Sequence, residues 1–172
     1  MLTLSLLRHA KASRDDPMVE DFDRPLAPRG EKDASAMGVW MVKHGLSPDL
    51  VLASTSERTR ATCTLAFKAF VAEPPITFDD DLYLANPRTL LGIVRHVGDD
   101  IRHLMLVGHN PGLHALATAF VATGPADLRA LLDDKLPTSG LVVLAFDAAR
   151  FADVKPGTGR LNHFVGPKNL GT

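Results

Sequence analysis

The apolar positions fall into short blocks whose spacing changes repeatedly along the chain. Leu2 to Leu7 is a nearly continuous apolar run, the pattern of a strand covered on both faces, and it leaves Arg8 and His9 at its carboxyl end. A polar, acidic loop follows through Asp15, Asp16, Glu20, Asp21 and Asp23. Ala34, Met37, Met41 and Val42 then recur at helical spacing between Arg29 and His44, and Gly45 stops them. Leu50 to Ala53 predicts a second strand, ended by Ser54, Thr55 and Ser56. Ser54 with Glu57 has the form of a capping box, and Ala61, Leu65 and the Phe67/Phe70 pair continue as a helical face. Ile76 to Phe78 predicts a third strand, Arg88 to Val97 a helix, and Leu104 to Val107 another buried strand. Asn110 reads as an N-cap with Pro111 at the first helical position, ahead of the stripe Leu113, Leu116, Ala117, Phe120 and Val121. A short helix over Ala126 to Asp134 and strands over Leu141 to Phe146 and Gly159 to Val165 complete the reading.

Strands alternating with helices predict an α/β fold, a three-layer αβα sandwich with a mostly parallel central sheet. With 172 residues and no repeat, low-complexity tract or linker, the expectation is one domain over residues 1–172. The composition, 45% apolar and 23% charged, excludes disordered and fibrous classes. A formal net charge of −1 gives no reason to expect nucleic acid or an acidic membrane as partner. The longest stretch free of charged residues, Leu104 to Ala126, is broken by glycines and Pro111, so no membrane span is expected. The single Cys63 fits a reducing cytoplasm and offers neither a disulfide nor a multi-cysteine zinc site.

In such a sheet, ligands bind beyond the carboxyl ends of the strands, where loops and helix N-termini converge. The sequence places Arg8 and His9 after the first strand, Arg58 and Arg60 after the second, and His109 after the Leu104 strand. Two histidines, one or two arginines and two helix N-termini in one crevice make the electrostatics of a phosphate site. No acidic metal cage is evident, and no metal or cofactor is expected.

Leu7-Arg8-His9-Ala10 resembles the Arg-His-Gly signature of the histidine phosphatase (phosphoglycerate mutase-like) superfamily. The segment Ser56-Glu57-Arg58-Thr59-Arg60-Ala61-Thr62-Cys63-Thr64 is similar to that family's Ser-Pro-x-x-Arg-Ala-x-x-Thr, and Val107-Gly108-His109-Asn110-Pro111-Gly112 to its second-histidine segment. Lys11 to Ser13, Asp23-Arg24-Pro25-Leu26, Arg29-Gly30 and Leu82-Tyr83 resemble the SixA branch of phosphohistidine phosphatases. The resemblance covers nearly the whole chain in order and implies the phosphoglycerate mutase-like fold. It implies that His9 is a nucleophile, transiently phosphorylated, that Arg8 and Arg60 cradle the phosphoryl oxygens, and that His109 is the second catalytic histidine. Lys11, Ser13 and Arg24 are further candidates for substrate contact, whereas Arg58 reads as a solvated helix-start residue. The expected substrate is a phosphate compound, foremost phosphohistidine in a partner protein. A small-molecule phosphomonoester and a non-catalytic phosphate-binding module are the rival readings.

Three positions depart from the family pattern. Ala10 replaces a glycine, Glu57 stands where proline is usual, and Leu84 falls where mutase-like members carry a general-acid glutamate. Asp15, Asp16, Asp21 and Asp23 are substitutes for that acid by location only.

Overall fold

The computed structural model describes residues 1–170. Seven strands, β1 (Leu2–Arg8), β2 (Leu50–Ser54), β3 (Ile76–Asp79), β4 (His103–Gly108), β5 (Val121–Thr123), β6 (Leu141–Phe146) and β7 (Gly159–Val165), form one sheet in the order β3-β2-β4-β1-β6-β7-β5. Every pairing is parallel except the two made by β6, which runs antiparallel to both β1 and β7. The mostly parallel α/β sheet that the alternation predicts is therefore present, with one reversed strand. Five helices cover it: α1 (Pro28–Lys43), α2 (Glu57–Phe67), α3 (Pro87–Arg95), α4 (Gly112–Phe120) and α5 (Ala126–Asp134).

The period-2 geometry of the strands divides the apolar side chains between two cores. Leu4, Leu6, Leu104, Leu106, Val142 and Leu144 join Leu90, Leu113, Phe120 and Leu132 of α3, α4 and α5 on one face. Leu7, Met105, Val107, Leu141 and Val143 join Met37, Trp40, Cys63 and Phe67 of α1 and α2 on the other. Double coverage explains why β1, β4 and β6 read as nearly continuous apolar runs rather than as alternations.

Close backbone contacts fix the first loop against this frame. A Cβ on Gly30 would fall 2.2 Å from the Lys11 carbonyl oxygen, and one on Gly112 would fall 1.9 Å from that of Ala85. At both places only glycine lets the helix start lie against the neighbouring chain. Ala27 N–H donates to the Lys11 carbonyl (2.9 Å) and Ser13 N–H to that of Pro25 (2.8 Å), tying the segment after His9 to the one before α1.

Two local expectations change. Ser54 and Glu57 form no capping box: Ser54 ends β2, Ser56 occupies the cap position of α2 without a side-chain cap bond, and the Ser54 hydroxyl instead meets His109. Nor is Asn110 the cap of α4. Pro111 holds that position, and the Asn110 amide donates to the Leu136 carbonyl (2.9 Å).

Candidate active site

The carboxyl ends of β1, β2 and β4 adjoin in the sheet, so the residues that follow them share one crevice. A cavity of about 200 Å³ there is lined by Arg8, His9, Lys11, Arg24, Arg58 and His109, with Arg14, Asp21, Leu84, Asn110 and Thr138 among its other walls. A larger groove of about 420 Å³ beside α4 and α5 is lined by Thr118, Arg129, Asp133 and small or apolar groups. That groove gathers no histidine, so size does not locate the chemistry.

His9 and His109 are buried, with ring centroids 5.1 Å apart. The partners of each ring fix its tautomer. A carbonyl can only accept, so His9 Nδ1–H donates to the Ala10 carbonyl (2.8 Å). A guanidinium can only donate, so His9 Nε2 accepts from Arg58 Nε (3.3 Å), and its lone pair faces the crevice. For His109 the order is reversed. Nδ1 accepts from Arg58 Nη2 (3.3 Å), and Nε2–H donates to the Ser54 hydroxyl (2.8 Å). Both rings are thus neutral in the free site, the form that burial among positive charges also favours. Burial, reinforced by the positive charge of Arg58, lowers His9 to about 4. Burial, with His9 and Arg58 adding to it, lowers His109 to about 3.

These shifts predict that imidazole NMR titration of the free protein gives midpoints near pH 4 for His9 and pH 3 for His109; a midpoint near 6.5 for either would contradict the assignment. The unfolded chain then binds more protons than the folded one between about pH 6.5 and 3. Stability against urea should be fully present above that window and fall on acidification through it. His103, also lowered by burial, contributes with the same sign.

The arginine in the crevice is Arg58, not Arg60. Arg58 is 3% exposed and touches both histidines. Arg60 is exposed, donates from Nε to the Thr55 carbonyl (3.0 Å), and lies over the Phe78 ring at 4.2 Å. Two residues along an α-helix are about 200° of rotation, so the two side chains cannot share a face. Thr62, one turn beyond Arg58, completes the fit: its hydroxyl donates to the Arg58 carbonyl (2.6 Å) and accepts from Ala10 N–H (2.9 Å). The serine, arginine and threonine of the motif are therefore Ser54, Arg58 and Thr62. In that frame Thr55 follows the serine, and Glu57 lies exposed at the first turn of α2.

Arg8 donates from Nη1 to the Leu136 carbonyl (3.0 Å), while its Nε is buried without a hydrogen-bond partner among the described residues. Lys11 and Arg24 line the cavity. Ser13 does not; its carbonyl accepts from Arg24 Nε (2.9 Å) and its hydroxyl from Asp15 N–H (3.2 Å). Leu84 lines the cavity, exposed and with φ of 51°, a left-handed conformation that costs a non-glycine residue roughly 1–2 kcal/mol. Asp21 and Tyr83 carry contacts that the sequence did not signal. Asp21 bonds Arg58, Arg24 and the Tyr83 hydroxyl, and the Tyr83 bond first, then Arg58, hold its carboxyl at about 2. The described residues contain no cluster of three or more His, Cys, Asp or Glu side chains that could hold a metal ion.

The fold and the sequence have counterparts among known proteins. A family model of the histidine phosphatase superfamily (branch 1) matches residues 4–83. A protein of Agrobacterium tumefaciens whose crystal structure carries the name phosphohistidine phosphatase SixA is 34% identical, with 96% of this chain and 98% of that one covered and a TM-score of 0.82. A structure of that name from Nakamurella multipartitia is 28% identical over 96% of both chains, with a TM-score of 0.78. An uncharacterised protein of Mycobacterium tuberculosis is 38% identical over 164 residues, 94% of this chain and all of that protein. The chain belongs to the histidine phosphatase superfamily, in its SixA-type branch. It is a phosphatase, a hydrolase with the phosphoglycerate mutase-like fold.

Proposed function

We propose that the protein hydrolyses phosphohistidine in a partner protein through a phosphorylated His9, without a metal ion. The observation that carries this is the orientation of His9. Its Nδ1–H is tied to the Ala10 carbonyl, so the Nε2 lone pair is the one presented among Arg8, Arg58, Lys11 and Arg24. A neutral imidazole held in that way is a nucleophile at neutral pH.

In the first half-reaction His9 Nε2 attacks phosphorus, the new P–N bond forms as the bond to the leaving nitrogen breaks, and the displaced imidazole takes a proton from solvent. The Ala10 carbonyl stabilises the positive charge that the His9 ring acquires. Arg58 Nε, released from its long bond to His9, and Arg8 Nε, buried with no partner among the described residues, are the donors for the phosphoryl oxygens. With the anion bound, His109 takes up a proton from solvent at Nδ1 and keeps it, donating a hydrogen bond to a phosphoryl oxygen as charge builds rather than a proton to the leaving group. Water then attacks phosphorus, the P–O bond forms as the bond to His9 Nε2 breaks, the water's proton passes to solvent, and phosphate leaves with His9 neutral again.

The choice of a phosphoramidate rests on the carboxylates. Asp21 is the one carboxylate among the residues lining the cavity, and with its carboxyl at about 2 it has no proton to give at neutral pH. An alkoxide leaving group needs such a proton, help typically worth about 10²–10⁴-fold, whereas an imidazole can take its own from solvent. The expected order of kcat/KM is therefore a phosphohistidine protein above p-nitrophenyl phosphate, and both well above an unactivated sugar phosphate. If the sugar phosphate is turned over as fast as the phosphohistidine, the enzyme is instead a small-molecule phosphomonoesterase.

A further inference from the structure

Arg58 is the hub of the site, and a flexible side chain with several rotatable bonds is a poor hub unless something holds it. Its inner edge, Nε and Nη2, faces His9 and His109. Its outer edge is gripped by one residue: Nη1 donates to the Asp21 backbone carbonyl (2.6 Å) and Nη2 to Asp21 Oδ2 (3.1 Å). Two bonds from one residue to both terminal nitrogens fix the plane of a guanidinium as well as its position. Asp21 is itself held. The Tyr83 hydroxyl donates to Oδ2, and Arg24 Nη1 donates to Oδ1 (3.2 Å). Tyr83 also packs edge-on against the His109 ring, at 5.3 Å between centroids, and against Phe22, next to Asp21, at 5.0 Å.

A carboxylate on the wall of an anion site opposes anion binding through its charge. Whatever Asp21 contributes must therefore come through geometry. We infer that Asp21 is the positioning residue for Arg58, with the Tyr83 hydroxyl as its anchor, so that the loop before α1 sets the competence of a side chain on α2. The inference rests on the proposed role of Arg58 as a phosphoryl donor and deepens it. Geometry and charge have opposite signs in a single measurement, affinity for inorganic phosphate, and that makes the assignment testable.

Phosphate binding by calorimetry and kcat/KM for p-nitrophenyl phosphate are to be measured on Asp21→Ala, Asp21→Asn, Tyr83→Phe, Arg58→Ala and the Asp21→Ala/Arg58→Ala double variant. Asp21→Ala should bind phosphate about tenfold more weakly and lose at least about tenfold in kcat/KM, the scale of losing a charge-assisted pair. Asp21→Asn, whose side-chain carbonyl still accepts from Arg58 and Tyr83, should stay within about threefold of wild type, and Tyr83→Phe should shift in the direction of Asp21→Ala by roughly that amount. The double variant should be no worse than Arg58→Ala, because the effect passes through Arg58. Phosphate binding in Asp21→Ala as tight as wild type or tighter would overturn the inference, as would an undiminished further loss in the Arg58→Ala background. A wild-type enzyme that turns over substrate without a phosphorylated His9 would overturn the proposed function instead, while the phosphate titrations would still decide the role of Asp21.

Discussion

His9→Ala should abolish turnover, lowering kcat by at least about 10⁴-fold, the scale on which removal of a covalent nucleophile is felt. His109 is not expected to replace it, because its Nε2–H is committed to Ser54 and its Nδ1 is the atom proposed to donate to the phosphoryl oxygens. The fold should survive, since the His9 ring bonds only the neighbouring Ala10 carbonyl and Arg58, while its backbone N–H to Gly108 and its carbonyl to Ser139 remain. Circular dichroism would check the fold, and trapping with labelled substrate the chemistry. Wild type should yield an acid-labile, base-stable adduct that His9→Ala lacks. A serine or cysteine phosphoester in its place would defeat the assignment.

Arg58→Ala and Arg60→Ala should separate by about two orders of magnitude. Removing a preorganised donor from a site where charge develops typically costs about 10²–10³-fold in kcat, and Arg58 is the buried guanidinium that meets both histidines. Arg60→Ala removes an exposed bond to the Thr55 carbonyl and a contact with Phe78, and should leave kcat/KM within about twofold. The reverse ranking would restore the reading that the sequence motif suggested.

That motif shows where a sequence stops being informative. A serine four residues before an arginine and a threonine four residues after it occur twice in overlapping frames, Ser54-Arg58-Thr62 and Ser56-Arg60-Thr64. The second frame also has the arginine followed by alanine. What separates them is which side of the helix faces the sheet, and that was present as a weaker signal. Thr59, Thr62, Cys63, Ala66 and Phe67 are buried, whereas Arg60, Thr64 and Lys68 recur at i, i+4 and i+8 as a polar stripe. Following Ala61 and Leu65 rather than Cys63 and Ala66 rotated the predicted face away from the sheet. The strands were legible for the opposite reason. A strand buried on both faces leaves an apolar run that needs no phase, so β1, β4 and β6 could be placed to within a residue or two. The grip of Asp21 on Arg58, and of Tyr83 on Asp21, had no local signature, because it joins three segments that the fold alone brings together.

The position of β1 between β4 and β6 governs when the enzyme can begin to work during its own synthesis. Leu4 pairs with Leu104 on one side and with Leu144 on the other, so the strand that ends at the nucleophile has no neighbour in the sheet until about a hundred further residues have been translated. Until β6 leaves the ribosome, an apolar strand must wait with one edge unpaired, a state that invites association with other chains. Arg8 and His9 stand at its end, but the Gly140 carbonyl that receives the Arg8 N–H, and the Ser139 N–H that donates to the His9 carbonyl, are translated more than a hundred residues later. A nascent chain stalled before that point carries His9 without the frame that orients it, so phosphatase activity is expected to appear only after translation has passed β6.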